Sequence, residues 1–135
     1  MDARQNIGLH GEKEAASFLR QRGYKILDRR ARVLNGDIDI VALDNRTVVF
    51  VEVRSRTNTK HGHPVETIDL RKKRRIILLA NAYIKQHRIK NYSYRIDVVT
   101  VLFLKSDSRQ KPWWLWRFKK RPIIEHFQNA FDGDI

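Results

Sequence analysis

Three carboxylates and a guanidinium, Asp37, Asp39, Glu52 and Arg54, lie within the strand-like apolar runs of one stretch, "NGDIDIVALDNRTVVFVEVRSR", Asn35 to Arg56. Strand interiors are poor in Asp and Glu, because a carboxylate fits a half-buried pleated surface badly. Two carboxylates about 4 Å apart repel by about 4 kcal/mol at an effective dielectric of about 20. A fold that brings Asp39 to Glu52 therefore needs a cation beside them. Arg54 supplies part of that charge. A hard divalent ion such as magnesium supplies the rest, since one or two carboxylates with water are its usual protein ligands. Such an ion lowers the pKa of a bound water and neutralises charge developing on a phosphate under attack. The opposing reading of the same residues is a structural ion-pair network that shifts pKa values and catalyses nothing.

The residues around these charges form strands. The segments Asp37 to Ala42 and Thr47 to Arg54 are expected to form a hairpin through a two-residue loop, Asp44-Asn45, which pairs Leu43 with Arg46, Asp37 with Glu52 and Asp39 with Phe50. Alternation then sends Ile38, Ile40, Ala42, Val49, Val51 and Val53 to one face. Asp37, Asp39, Glu52 and Arg54 share the other, beside Val41, Val48 and Phe50. A register two residues away pairs Asp39 directly with Glu52 and leaves the sorting unchanged.

An amphipathic helix is expected over Ile7 to Arg22, with Leu9, Ala16 and Leu19 at helical spacing, Ala15 and Phe18 beside them, and Gly23 as the stop. Glu12, three residues after Leu9 and four before Ala16, falls on or beside the apolar stripe. An edge-of-stripe Glu reaching for water satisfies the same spacing. "YKIL" reads as a short strand, followed by the basic segment "DRRARVLNG". A second helix, from Thr67 or Asp69 to Gln86, carries the stripe Ile76, Leu79, Ala80, Tyr83 and Ile84, and its first turns hold "RKKRR", Arg71 to Arg75. Basic runs of this kind are either solvated faces or contacts for a polyanion. "YRIDVVTVLFL" is apolar on both faces and suits a strand near a sheet centre. "PIIEHFQNAFDGDI" reads as a last short strand or helix.

The chain has 135 residues, the size of one domain, and its 28 Lys and Arg against 15 Asp and Glu leave a net charge of +13. The pI is near 10.5. That balance suits a nucleic-acid partner. With no cysteine, disulfides, thiolate metal sites and cysteine nucleophiles are excluded. The N-terminal stretch lacks the apolar core of a signal peptide and no segment is long and apolar enough to span a bilayer, so a cytoplasmic protein is expected.

Two further segments invite a function. His61 and His63 flank Gly62 in a polar loop; a transition metal needs more ligands than this pair, and a nucleic-acid backbone contact is the simpler reading. Between Lys105 and Arg121 the chain holds seven basic residues, one acidic residue and three tryptophans. Trp113, Trp114 and Trp116 among Arg117, Lys119, Lys120 and Arg121 have the composition of a stacking platform beside a phosphate track. A loop packed back on the domain, a dimer contact or a membrane-surface contact has the same composition.

Six blocks in order, "GLHGEKEAASFLRQRGYKIL", "NGDIDIVA", "VVFVEVRSR", "GHPVETIDLRKKR", "YRIDVV" and "IIEHFQNAF", resemble the YraN-like bacterial proteins of uncharacterised protein family 0102. These are similar to the restriction-endonuclease-like, PD-(D/E)xK superfamily and, within it, to archaeal Holliday-junction resolvases. The resemblance covers nearly the whole chain except Lys105 to Arg121. It implies an α/β fold, a central mixed sheet flanked by helices, with a magnesium-dependent nuclease site that accepts manganese, work on DNA in repair or recombination, and a homodimer. Matched residue by residue, Asp39 and Glu52 are the metal-binding acids, the Val53 carbonyl a further ligand, and Glu12 the helical Glu that joins directly or through water. Two positions depart from the pattern. Asp37 stands where Glu is common. Arg54 stands at the motif lysine, and a guanidinium that stays protonated positions water or phosphate but is a poor general base. Lys72, at the start of the second helix, matches a recurring family lysine, with Lys73 the nearest substitute. Asp97 matches a family position too, with pairing to Arg95 as its simpler role. Arg56, Lys60, Arg71, Lys73 and Arg74 are the expected nucleic-acid contacts. The sequence thus leads to a magnesium-dependent endonuclease acting on branched, damaged or single-stranded DNA. The alternatives are a non-catalytic nucleic-acid-binding module on the same fold and an adaptor whose charge serves protein or membrane contacts.

Overall fold

The computed structural model describes residues 3–57, 67–104 and 121–132. Helix α1 (Ala3–Gln21) leads into β1 (Lys25–Val33), β2 (Gly36–Asp44) and β3 (Thr47–Arg56). Helix α2 (Leu70–Gln86) then crosses to β4 (Ser93–Leu102), and β5 (Ile123–Phe131) follows. The strands form one sheet in the order β1-β2-β3-β4-β5. Neighbours are antiparallel except β3 and β4, which are parallel, as a connection through a crossover helix requires. This is the expected α/β mixed sheet flanked by helices. Among the described residues no helix is long and apolar enough to cross a membrane.

Each face of the sheet buries one helix. Ala15, Ala16 and Leu19 of α1 pack on Ile40, Ala42, Val49, Val51, Val99 and Val101. Ile76, Leu79, Ala80 and Tyr83 of α2 pack on Val41, Val48, Phe50, Ile96 and Val98. Fully burying side chains of this size contributes about 1.5–3 kcal/mol apiece. Gly23, at φ +90°, ends α1 in a conformation that L-residues rarely adopt. Asp69 caps α2, its carboxylate accepting the Lys72 backbone N–H at 2.8 Å.

Several expectations need correction. Most of "YKIL" and of the basic segment after it, Lys25 to Val33, forms one nine-residue strand, β1, in which Ala31 and Val33 find buried places in the α2 core. The β2–β3 loop is Asn45-Arg46, with Asp44 paired to Thr47 and Ile40 to Val51; Asn45 takes the positive φ of 52° that a tight hairpin loop demands and that Asn tolerates. The register is therefore the second of the two considered, with Asp39 abreast of Glu52. Ile38 also leaves its expected face and joins the α2 core. Its partner Ala31 joins the same core; between the Arg29↔Ile40 and Ala31↔Ile38 pairs Arg30 takes a φ of 51°. Of the two readings of the closing segment the strand holds, as β5 at the sheet edge.

Asp97 fastens that edge. Fully buried, it accepts from Arg95 Nε at 3.0 Å and from the Asn129 backbone N–H at 2.9 Å, and its Oδ2 lies 2.7 Å from His126 Nε2. These partners outweigh its desolvation and hold its carboxyl below the usual range. Arg95 also reaches Asp44 at 3.2 Å and the Tyr24 hydroxyl at 2.7 Å. Asp97 is thus a structural partner of Arg95, on the α1 face of the sheet.

Candidate active site

The ladder between β2 and β3 runs from Asp44↔Thr47 to Ile40↔Val51 and stops there. Beyond it the strands part, and Asp39 and Glu52 stand at the opening. The Val53 backbone N–H turns to the Asp39 carboxylate and donates to Oδ2 at 2.8 Å. A shallow cleft at this split is lined by Asp37, Ile38, Asp39, Phe50, Val51 and Glu52 from the strands and by Ile76 and Leu79 from α2. The floor is apolar and the two acids rise from it.

Their surroundings leave them short of compensation. Glu52 has a side chain only 11 % exposed, with Lys72 Nζ at 3.7 Å and Arg54 Nη1 at 3.9 Å from Oε1, longer than charge-assisted hydrogen bonds. Burial first, then the charge of Glu52, pushes the Asp39 carboxyl up to about 7; the Val53 bond and Lys72 pull the other way and Glu12 adds to the rise. Glu52 is raised as well, by burial, against the pull of Lys72 and Arg54. Near neutrality the pair favours holding a proton between its members, the behaviour of two carboxylates in one site.

Glu12 comes from α1 and is 13 % exposed; its Oε2 accepts from Arg30 Nε at 2.8 Å. Its charge is felt at Asp39, so α1 brings the third carboxylate to the neighbourhood with a guanidinium already on it. Arg30 was not among the residues singled out from the sequence. The contact spans 18 positions, and the left-handed φ that directs Arg30 has no signature in an Asp-Arg-Arg-Ala run.

The other expected residues divide. Lys72 reaches the pair, whereas Lys73 sends its ammonium over the Phe131 ring, 5.8 Å from the centroid. Asp37 lines the cleft rim, but its half-exposed carboxylate sits 3.6 Å from Arg32 Nε. Arg56 contacts the Thr67 hydroxyl at 3.2 Å. Arg71 and Arg74 lie exposed on α2, on the helix that delivers Lys72. Lys60, His61, His63 and the tryptophan segment lie outside the described residues.

The donor set fits a hard divalent cation at the Asp39–Glu52 pair: two desolvated carboxylates, one of them oriented by a backbone N–H, with an unmet need for positive charge. Among the described residues no three His, Asp or Glu side chains converge on one point, so Glu12, held by Arg30, stands outside the immediate pair.

The sheet of five strands with a helix on each face, split at a half-buried Asp–Glu pair, defines an α/β protein compatible with a restriction-endonuclease-like core. Residues 11–101 match the model of the Uncharacterised protein family UPF0102. A UPF0102 protein of Anaeromyxobacter dehalogenans (strain 2CP-C) is 40 % identical over 133 residues, 98 % of this chain and 89 % of that protein. One from Persephonella marina (strain DSM 14350 / EX-H1) is 44 % identical over 127 residues, 94 % of each. Another, from Syntrophotalea carbinolica (strain DSM 2380 / NBRC 103641 / GraBd1), is 37 % identical over 131 residues, 97 % of this chain and 95 % of that protein. The chain belongs to this family.

Proposed function

We propose that the protein is a divalent-metal-dependent endonuclease of the PD-(D/E)xK kind that hydrolyses phosphodiester bonds in DNA. The observation that carries this reading is the desolvated Asp39–Glu52 pair, abreast at a split in the sheet, with Lys72 and Arg54 at its margin. Asp39 and Glu52 would hold magnesium, or manganese in its place, with the Val53 carbonyl as a further ligand and Glu12 joining through water. A bound ion of this kind supplies Lewis acidity toward the phosphate and the attacking water.

The protein's own groups do the rest. The Val53 N–H fixes one Asp39 oxygen and leaves the other for a ligand. Arg54 and Lys72 place positive charge beside the reacting phosphate and stabilise the charge that grows on it. A guanidinium takes no proton from water, and Lys72, with Nζ 3.7 Å from Glu52 Oε1, adds a second positive charge on the same face. Arg71 and Arg74 on α2 extend the positive surface along which a phosphate backbone would lie, and the net charge of +13 steers polyanions to it. The resemblance to junction resolvases favours branched DNA and a cytoplasmic homodimer.

Arg54 at the motif lysine also favours a second reading, a nucleic-acid-binding module without hydrolysis. Labelled single-stranded, duplex, flapped and four-way-junction DNAs, incubated with magnesium, manganese or chelator, separate the two. Metal-dependent cutting that is lost in Asp39→Ala while salt-sensitive binding persists supports the nuclease. Equal binding by both proteins with no cutting of any substrate makes the binding module the better account.

A further inference from the structure

Gly11 sits buried in the interior of α1, one residue before Glu12, where glycine is a poor helix former. The strand beneath explains its presence. A Cβ built at Gly11 would lie 1.7 Å from Ser55 Oγ and 2.9 Å from Ser55 Cβ. The hydroxyl can rotate away; the Ser55 Cβ belongs to β3 and moves only if helix and strand separate. Gly8, one turn earlier on the same helix, has nothing within 4 Å of its own would-be Cβ, so the crossing at Gly11 is local.

We propose that Gly11 is a positioning residue: its missing side chain lets α1 lie directly on Ser55 of β3, and this contact sets how near Glu12 stands to Asp39. Glu12 belongs to a helix packed on one face of the sheet, while the acid pair rises at the split on the side of α2. A helix seated even slightly higher on β3 carries Glu12 away from Asp39, whose carboxyl feels its charge, and away from Arg30, which it meets at 2.8 Å. Ser55 follows Arg54 by one residue, so the contact that seats the helix and the strand positions that carry the chemistry belong to one rigid segment. The consequence for catalysis rests on the nuclease reading; the seating of the helix does not.

The test compares the full-length parent with Gly11→Ala, Gly8→Ala, Ser55→Gly and the double variant Gly11→Ala/Ser55→Gly. Each is crystallised, titrated calorimetrically with manganese chloride and assayed for cutting. In Gly11→Ala, Glu12 should move away from Asp39 and the Arg30 contact should lengthen. Manganese affinity should fall about tenfold or more, in the range seen when a metal site loses its supporting contacts, and kcat should fall with little change in KM. Gly8→Ala should match the parent in every readout, and the double variant should return toward it, because removing the Ser55 side chain reopens the space. A Gly11→Ala structure with Glu12 in the parent's place overturns the proposal, as does a double variant that regains nothing. If Gly11→Ala does not fold, Ser55→Val puts a methyl at the hydroxyl's place and carries the same test from the strand side. A parent that neither binds manganese nor cuts refutes the nuclease reading, and the crystal structures still decide the seating.

Discussion

Val53 donates its backbone N–H to Asp39 Oδ2 at 2.8 Å, immediately after Glu52 in the chain. One acid of the pair is therefore held by the strand that bears the other. Where the β2–β3 ladder ends, a side chain satisfies a backbone donor that the parting strands would leave unpaired. The same bond keeps the carboxylate facing the cleft.

The metal-free pair should make stability pH-dependent in a defined direction. Asp39 is pushed up to about 7 in the folded protein from an ordinary 3.8. The folded state thus binds this proton more tightly than the unfolded chain. The stabilisation is complete below the unfolded value and is lost as pH rises through the folded one. In chelator, the stability advantage of Asp39→Asn over the parent should grow by roughly 2–4 kcal/mol from about pH 4 to about pH 8. Urea unfolding at the two pH values reads it; an advantage that does not change with pH contradicts the desolvated pair.

Lys72 and Lys73 should differ sharply although they are neighbours. Lys72 Nζ is 3.7 Å from Glu52 Oε1, while the Lys73 ammonium lies over Phe131. Lys72→Ala should lower the cutting rate by about a hundredfold, the scale of a lost charge-stabilising group. Lys73→Ala should lower it by less than about threefold, as expected of a group outside the reacting centre. Single-turnover rates at saturating DNA make the comparison, and equal losses would remove Lys72 from the site.

Asp69 links helix stability to that lysine, since its carboxylate caps α2 through the Lys72 backbone N–H at 2.8 Å. Asp69→Ala should cost about 1 kcal/mol of stability and lower cutting by less than Lys72→Ala does. An unchanged unfolding midpoint would show that the cap contributes nothing.

Much of this arrangement is legible in the sequence because it is periodic. The buried stripe of α2, Ile76, Leu79, Ala80 and Tyr83, follows from helical spacing, and the apolar alternation of β3 follows from its strand period. The β2–β3 register turns on one backbone angle, the positive φ at Asn45, and Asp44-Asn45 satisfies the loop chemistry nearly as well as Asn45-Arg46. Ile38 is beyond pattern reasoning, because strict alternation from Ile40 sends it to the α1 face whereas it packs in the α2 core. The Glu12–Arg30 pair and the Gly11–Ser55 contact join residues far apart in the chain; helical spacing gives the face of Glu12 but not the guanidinium waiting there.

Asp97 should behave as a structural group. It holds Arg95, His126 and the Asn129 N–H from a fully buried position. Asp97→Ala should cost about 3–5 kcal/mol, the scale of breaking a buried charge network from one side. Its carboxyl is held below the ordinary 3.8, so its stabilisation is present above that value and is lost as pH falls through the folded one. Denaturant unfolding reads both effects, and a loss below about 1 kcal/mol, a surface-pair value, would contradict the network.

The most direct measurement of the central claim is a calorimetric titration of manganese chloride into the metal-free protein near pH 7, repeated in buffers of different ionisation enthalpy. The Asp39–Glu52 pair predicts a saturable site that releases protons on binding, because the ion displaces the proton the pair holds, and that disappears in Asp39→Asn and in Glu52→Gln. Heats that never saturate, or a site that survives both substitutions, would mean that the two acids hold no metal.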